Sequence, residues 1–284
     1  MIFQIIPWNP DPEMFSLGPL AVRWYGVLFA SGFFFGYLIM RRFFKNEGIS
    51  DEFLDRLTIY MAVGTIVGAR LGHCLFYEPE HYLSQPIDLI KIWEGGLASH
   101  GAAIAIMLAI WLFTQIEKKP YFWASDRIAV VVALAGVLIR LGNLMNSEIY
   151  GIQTAVSWGF VFLLKGESVP KHPTQLYEAL AYLFIFILLL RIYWRKKGDF
   201  IQGVPTALFF ILIFTARFFI EYVKEDQVPF EALMRLNMGQ LLSIPLVLGG
   251  IALLIFSVKK GVRSYVATET VNPGGKTPQP KKGR

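Results

Sequence analysis

Residues Ile128 to Gly151 read IAVVVALAGVLIRLGNLMNSEIYG. Twelve apolar or small residues, Ile128–Ile139, run without a break; Arg140, Asn143, Asn146 and Glu148 then follow in close order. So apolar a run suits a helix in hydrocarbon, where every backbone N–H and C=O must be bonded within the segment. The arginine is the costly part. At the centre of a bilayer it opposes insertion by about 2.5–3.5 kcal/mol. Something else in the chain has to offset that cost.

Working outward, the rest of the chain repeats the pattern. Of 284 residues, 55% are hydrophobic and 17% charged, below the roughly 25% charge of a soluble domain. A spanning helix needs about 20 apolar residues. Seven stretches qualify: Leu20–Met40, Leu57–Tyr77, Gly95–Ile116, Ile128–Met145, Leu176–Tyr193, Val204–Val223 and Met238–Val258. The expected fold is an all-α polytopic membrane protein with seven transmembrane helices. Residues 1–19 are rich in proline and carry no basic residue, unlike a cleaved signal peptide; they are expected to form an extracytoplasmic segment. Residues 20–258 make one membrane domain. Residues 259–284 form a basic tail, expected to be disordered at its end.

Lys and Arg gather after the first, third and fifth stretches and in the C-terminal tail, 18 of them against 6 in the N-terminal segment and the other gaps. The positive-inside rule predicts the N-terminus outside and the C-terminus in the cytoplasm. The formal charge of +6 is then topology and contact with an anionic bilayer, and no nucleic-acid partner is implied. The single cysteine, Cys74, excludes a disulfide framework and reads as a small apolar filler. Four histidines and no HExxH give no zincin-type metal site.

Three arginines remain inside predicted spans: Arg70, Arg140 and Arg217. With the orientation above, all three fall toward the outer ends of their helices. The same end receives Arg23 and Tyr25 from the first span, His73 from the second and His100 from the third. Asn143 comes from the fourth, HPTQLYE (His172–Glu178) from the fifth, Glu221 and Lys224 from the sixth, and Gln240 from the seventh. Spacings of four and three put Arg217, Glu221 and Lys224 on one helical face. A transporter would sooner carry polar groups along a path or near the midplane. An intramembrane protease would need paired aspartates or a GxSxG serine; the predicted spans hold no aspartate and no GxSxG occurs. A non-catalytic lipid-binding protein stays open. Polar groups confined to one leaflet suit a lipid headgroup, and a guanidinium fork matches phosphate oxygens.

The segment RLGNLMNSEIYG resembles the signature of prolipoprotein diacylglyceryl transferases, bacterial inner-membrane enzymes. The resemblance continues through AVRWYG (Ala21–Gly26), GARLGHCLFY (Gly68–Tyr77), WEGGLASHGA (Trp93–Ala102), HPTQLYE, ARFFIEY (Ala216–Tyr222) and MGQLLSIP (Met238–Pro245), in family order. Ile139 and Leu144 replace the family's usual Gly and Phe, and Ile213 stands where a tyrosine is common.

The resemblance implies transfer of the diacylglyceryl group of phosphatidylglycerol to the lipobox cysteine of a prolipoprotein signal peptide, releasing glycerol phosphate. It implies no metal or other cofactor, and an active site toward the outer leaflet. It assigns His100 as the base that helps the substrate thiol, with Arg140 and Arg217 on the phosphate. Substrate contacts are expected from Tyr25, Arg70, Asn143, Glu148, Gly151, His172, Gln175, Tyr177 and Glu221. Plainer readings stand beside these. Arg70 pairs with Glu78 or fixes helix packing, Arg217 and Glu221 form a structural ion pair, His172 caps the fifth span, and Asn146 ends a helix. Gly101, with Gly95 and Gly96, lets helices approach.

Overall fold

Helix starts follow local capping. Ser50 accepts the Phe53 N–H at 3.3 Å ahead of Asp51 and Glu52, and Asn237 with Gln240 forms a reciprocal capping box. In the computed structural model, which describes residues 6–264 except 19, 92–95, 97, 227–229, 232 and 233, these signals open two of seven membrane-length helices. The seven are α1 (Trp24–Asn46), α2 (Asp51–Phe76), α4 (Ser99–Ile116), α5 (Tyr121–Met145), α6 (Thr174–Lys196), α7 (Val204–Ile220) and α8 (Met238–Lys260). A short α3 (Pro79–Ser84) follows α2. Gly95 and the end of the basic tail lie outside the described residues.

Four short strands accompany the helices, which hydropathy does not anticipate. β1 (Ile6–Trp8) runs parallel to β4 (Phe160–Phe162), and β2 (Glu13–Leu17) is antiparallel to β3 (Leu20–Arg23). The first membrane helix therefore begins at Trp24, after a hairpin, and not at Leu20.

The bundle has an apolar exterior. Phe34, Ile59, Val63, Ile104, Leu180 and Phe184 all lie more than half exposed along the helices. Patches of this extent suit a lipid solvent. Inside, Phe44, Phe53, Phe113 and Trp123 interlock through stacked and edge-on ring contacts, and Phe43 stacks on Tyr193. Helices α2 and α4 come close enough that a Cβ on Gly68 or Gly101 would overlap the opposing backbone, as expected of Gly101.

One end of the bundle departs from expectation. Helix α5 begins at Tyr121, seven residues before the predicted span, and carries Asp126 and Arg127 fully buried. Arg127 reads in the sequence as a flanking cation. It instead pairs with Glu47 at 2.8 Å, donates to the Trp123 carbonyl at 2.6 Å and lies over the Trp123 ring. Tyr193 donates to the same Glu47 at 2.6 Å. Asp126 accepts from the backbone N–H of Gly203 and Thr206, capping α7 from a neighbouring helix. Each buried charge has an opposite charge or several donors, which is how burial becomes tolerable.

Candidate active site

At the other end, α5 finishes in the quoted stretch. The Asn146 N–H closes on the Gly142 carbonyl at 3.1 Å, and the chain then turns through left-handed residues Ser147 (φ 52°) and Ile149 (φ 60°). Positive φ is uncommon for any residue with a Cβ, and a β-branched isoleucine is an outlier there. The turn folds Glu148 back on its helix. Its N–H donates to the Asn143 carbonyl at 3.0 Å, and its carboxylate accepts from Asn143 Nδ2 at 2.8 Å and Asn146 Nδ2 at 3.3 Å. Asn146 thus ends the helix and also braces Glu148.

Helix α6 enters beside this turn. Gln175, fully buried, donates its Nε2 to the Glu148 carbonyl at 2.7 Å. Three residues on, fully buried Glu178 lies 3.0 Å from Arg140 Nε. The Tyr182 hydroxyl reaches the other Glu178 oxygen at 3.4 Å. Arg140 Nη1 also meets Asn143 Oδ1 at 3.4 Å, as their spacing of three allows.

Helix α7 supplies the second half. Arg217 Nε is 3.3 Å from Glu221 Oε1, one turn along. Lys224 lies between the two carboxylates, 3.0 Å from Glu221 Oε1 and 3.4 Å from Glu178 Oε1. From α8, Asn237 donates its Nδ2 to the remaining Glu221 oxygen at 3.2 Å. A Cβ on Gly239 would overlap the Glu221 carboxylate, so a larger residue there would displace that side chain. Tyr25, at the start of α1, packs its ring against Gly142.

The result is a row of alternating charge: Arg140, Glu178, Lys224, Glu221, Arg217. The buried carboxylates offset the cost of holding two arginines at depth. The contacts of Glu178 with Arg140 and of Arg217 with Glu221 are close in distance, yet the N–H vectors do not point at the oxygens. They are charge contacts that leave the guanidinium groups room to reorient. Arg217 keeps 32% of its side chain exposed and Arg140 14%.

Other expected site residues fall elsewhere. His172 Nδ1 and Trp158 Nε1 both bond to the Tyr177 hydroxyl, at 3.0 and 2.9 Å, forming a separate trio beside the cluster. Burial lowers the His172 pKa below the usual imidazole value, favouring the neutral ring. Gly151 bonds the His172 carbonyl through its N–H, and a Cβ on it would overlap Val223; it allows two segments to cross. His100 stands exposed in the first turn of α4, against the rings of Phe76 and Tyr77. No hydrogen bond among the described residues joins it to the charged row.

The Arg70 guanidinium donates to the carbonyls of Asp88 at 2.6 Å and Leu89 at 3.1 Å and lies over the Tyr82 ring, while Glu78 sits 3.5 Å from His73. These bonds hold the segment after α2.

Glu178 and Lys224, which the sequence groups with the other polar residues at this end, stand between the two arginines, and Tyr182 and Asn237 join them without a signal in the sequence. Glu178 follows Gln175 at helical spacing and Lys224 follows Glu221 likewise, so the signal for a shared face was present. Their convergence depends on how α6, α7 and α8 pack.

The family described as "Prolipoprotein diacylglyceryl transferase" matches residues 12–256. The chain is similar to proteins named phosphatidylglycerol–prolipoprotein diacylglyceryl transferase in several bacteria. The relative from Tolumonas auensis is 51% identical over 90% of this chain and 99% of its own length. That from Chloroherpeton thalassium is 43% identical over 89% and 94%. That from Cupriavidus necator is 34% identical over 88% and 93%.

Proposed function

The chain belongs to the prolipoprotein diacylglyceryl transferase family, and from that membership we propose how its charged row carries the reaction. The protein is a multi-pass membrane transferase that moves diacylglyceryl from phosphatidylglycerol to a prolipoprotein, the first step of lipoprotein maturation.

The acceptor is the thiol of a lipobox cysteine in the signal peptide. Its sulfur attacks the glyceryl carbon that bears the phosphate. A C–S bond forms, the C–O bond breaks, and glycerol phosphate leaves with the electron pair. Cys74 is fully buried and takes no part. A free thiol has a pKa near 8.5 and reacts as thiolate, so a base speeds the step. His100, open at the start of α4, receives that proton. Arg140 and Arg217 hold the phosphate and stabilise the charge that grows on its oxygen as it departs. Tyr25, Asn143, Gln175, Glu148 and Glu221 line or brace the headgroup position, and His172 and Tyr177 flank it from the adjoining loop.

We place this site in the outer leaflet of a bacterial inner membrane, with the N-terminus outside and residues 20–258 as the membrane domain. The support is the asymmetry of Lys and Arg along the chain. Taking the buried Arg127 out of the flanking count leaves that asymmetry in place.

The observation that carries this reading is the convergence of Arg140 and Arg217, from two helices, on buried carboxylates at one end of the bundle. Mass spectrometry of a lipobox peptide incubated with the purified protein in phosphatidylglycerol vesicles tests it. The expected result is a diacylglyceryl mass gain on the cysteine, abolished in both His100→Ala and Arg140→Ala. Near-normal turnover in both variants would refute the site.

A further inference from the structure

We infer that Lys224 is a positioning residue for the transfer, one ammonium that joins two carboxylates and through them aims both arginines. The inference rests on the functional reading above. Lys224 stands just past α7, and only 3% of its side chain is exposed. Its ammonium is 3.4 Å from Glu178 and 3.0 Å from Glu221. Glu178 is the carboxylate beside Arg140, and Glu221 the one beside Arg217. Among the described residues, Lys224 is the cation within ion-pair distance of both carboxylates. The backbone holds Lys224 in place, since it bridges to Gly151 in an antiparallel pair and its N–H reaches the Glu221 carbonyl at 3.3 Å.

The physical consequence is coupling. Two carboxylates this close to one ammonium repel each other once it is removed, and each is then free to swing toward its own arginine or away from it. Each arginine has one of those carboxylates as its close charge partner, at 3.0 Å for Arg140 and 3.3 Å for Arg217, so a carboxylate that moves shifts the charge that attracts its arginine. A phosphate gripped by two guanidinium groups requires both at the correct separation. Misplacement by about 1 Å is enough to cost on the order of a hundredfold in rate. Lys224 itself is enclosed by Glu178, Glu221 and the start of the Gly151 segment. It acts through its neighbours and does not touch the reacting atoms.

The test compares wild type, Lys224→Met and Lys224→Arg in detergent micelles doped with phosphatidylglycerol, using a lipobox peptide. Turnover, the KM for phosphatidylglycerol and thermal stability are measured for each. Methionine keeps an unbranched side chain one atom shorter and removes its charge; arginine keeps the charge. The expected result for Lys224→Met is a kcat lowered between about tenfold and a hundredfold, with KM changed by less than about threefold, because aim matters most in the transition state. Lys224→Arg is expected to recover kcat to within about fivefold of wild type. Wild-type kcat in Lys224→Met would overturn the inference. So would a loss that follows a fall in thermal stability and is not restored by arginine, which would make the residue merely structural. If wild type itself failed to modify the peptide, the functional reading would fall and not this inference alone.

Discussion

Asn143 and Glu148, five positions apart across the end of α5, are joined side chain to side chain at 2.8 Å. The bond exists because the chain reverses through Ser147 and Ile149, and it turns the end of a membrane helix into a wall of the site. Asn143 faces Arg140 with its oxygen and Glu148 with its nitrogen, so one amide orders both charges. Replacing it by alanine leaves a half-buried carboxylate short of one donor, a loss of about 1 kcal/mol. Asn143→Ala is therefore expected to lower thermal stability in detergent and to cut turnover at least about tenfold. Unchanged values for both would show that the amide is a bystander.

The turn itself carries strain. A left-handed conformation costs a residue with a Cβ roughly 1–2 kcal/mol, and the Ser147 hydroxyl is buried without a hydrogen-bond partner. Strain of this kind persists where function needs a fixed geometry. Ser147→Gly removes both penalties, partly offset by the greater freedom of glycine in the unfolded chain. The expected outcome is a protein slightly more stable to heat but less active, as Glu148 loses its fixed aim. Greater stability with full activity would show that the strain has no bearing on the transfer.

Much of this was legible in the sequence, and what was not has physical causes. Arg140 with Asn143, and Arg217 with Glu221, sit at helical spacing and could be grouped before any coordinates. Hydropathy starts α5 too late because Asp126 and Arg127 look like loop residues, and only the fold brings Glu47, Gly203 and Thr206 to satisfy them. The strands β1 to β4 are too short for hydropathy to register. Arg70 could not be placed, since its partners are main-chain carbonyls, and a carbonyl has no side-chain signature. Lys224 and Glu178 share no local pattern; only the docking of α6 on α7 brings them together.

His172 makes the loop ahead of α6 sensitive to acid. Burial lowers its pKa from the ordinary 6.5, so the folded protein holds that proton less tightly than the unfolded chain. Its stabilising contribution is complete above about pH 6.5 and is lost as pH falls below that value. The neutral ring also meets the Tyr177 hydroxyl at 3.0 Å. Melting temperatures measured between pH 7.5 and 5 are expected to fall more steeply for wild type than for His172→Gln. Parallel curves would show that His172 does not titrate differently on folding.

In the proposed mechanism, guanidinium groups at one end of the bundle hold the phosphate that leaves. The decisive measurement is diacylglyceryl transfer to a lipobox peptide by Arg140→Lys, set beside Arg41→Gln at an exposed ion pair. Lysine keeps the charge at position 140 but lacks the planar fork. The expected result is a fall in kcat of about a hundredfold or more for Arg140→Lys, with Arg41→Gln turning over like wild type. Comparable turnover in Arg140→Lys and wild type would show that the transfer does not need the fork.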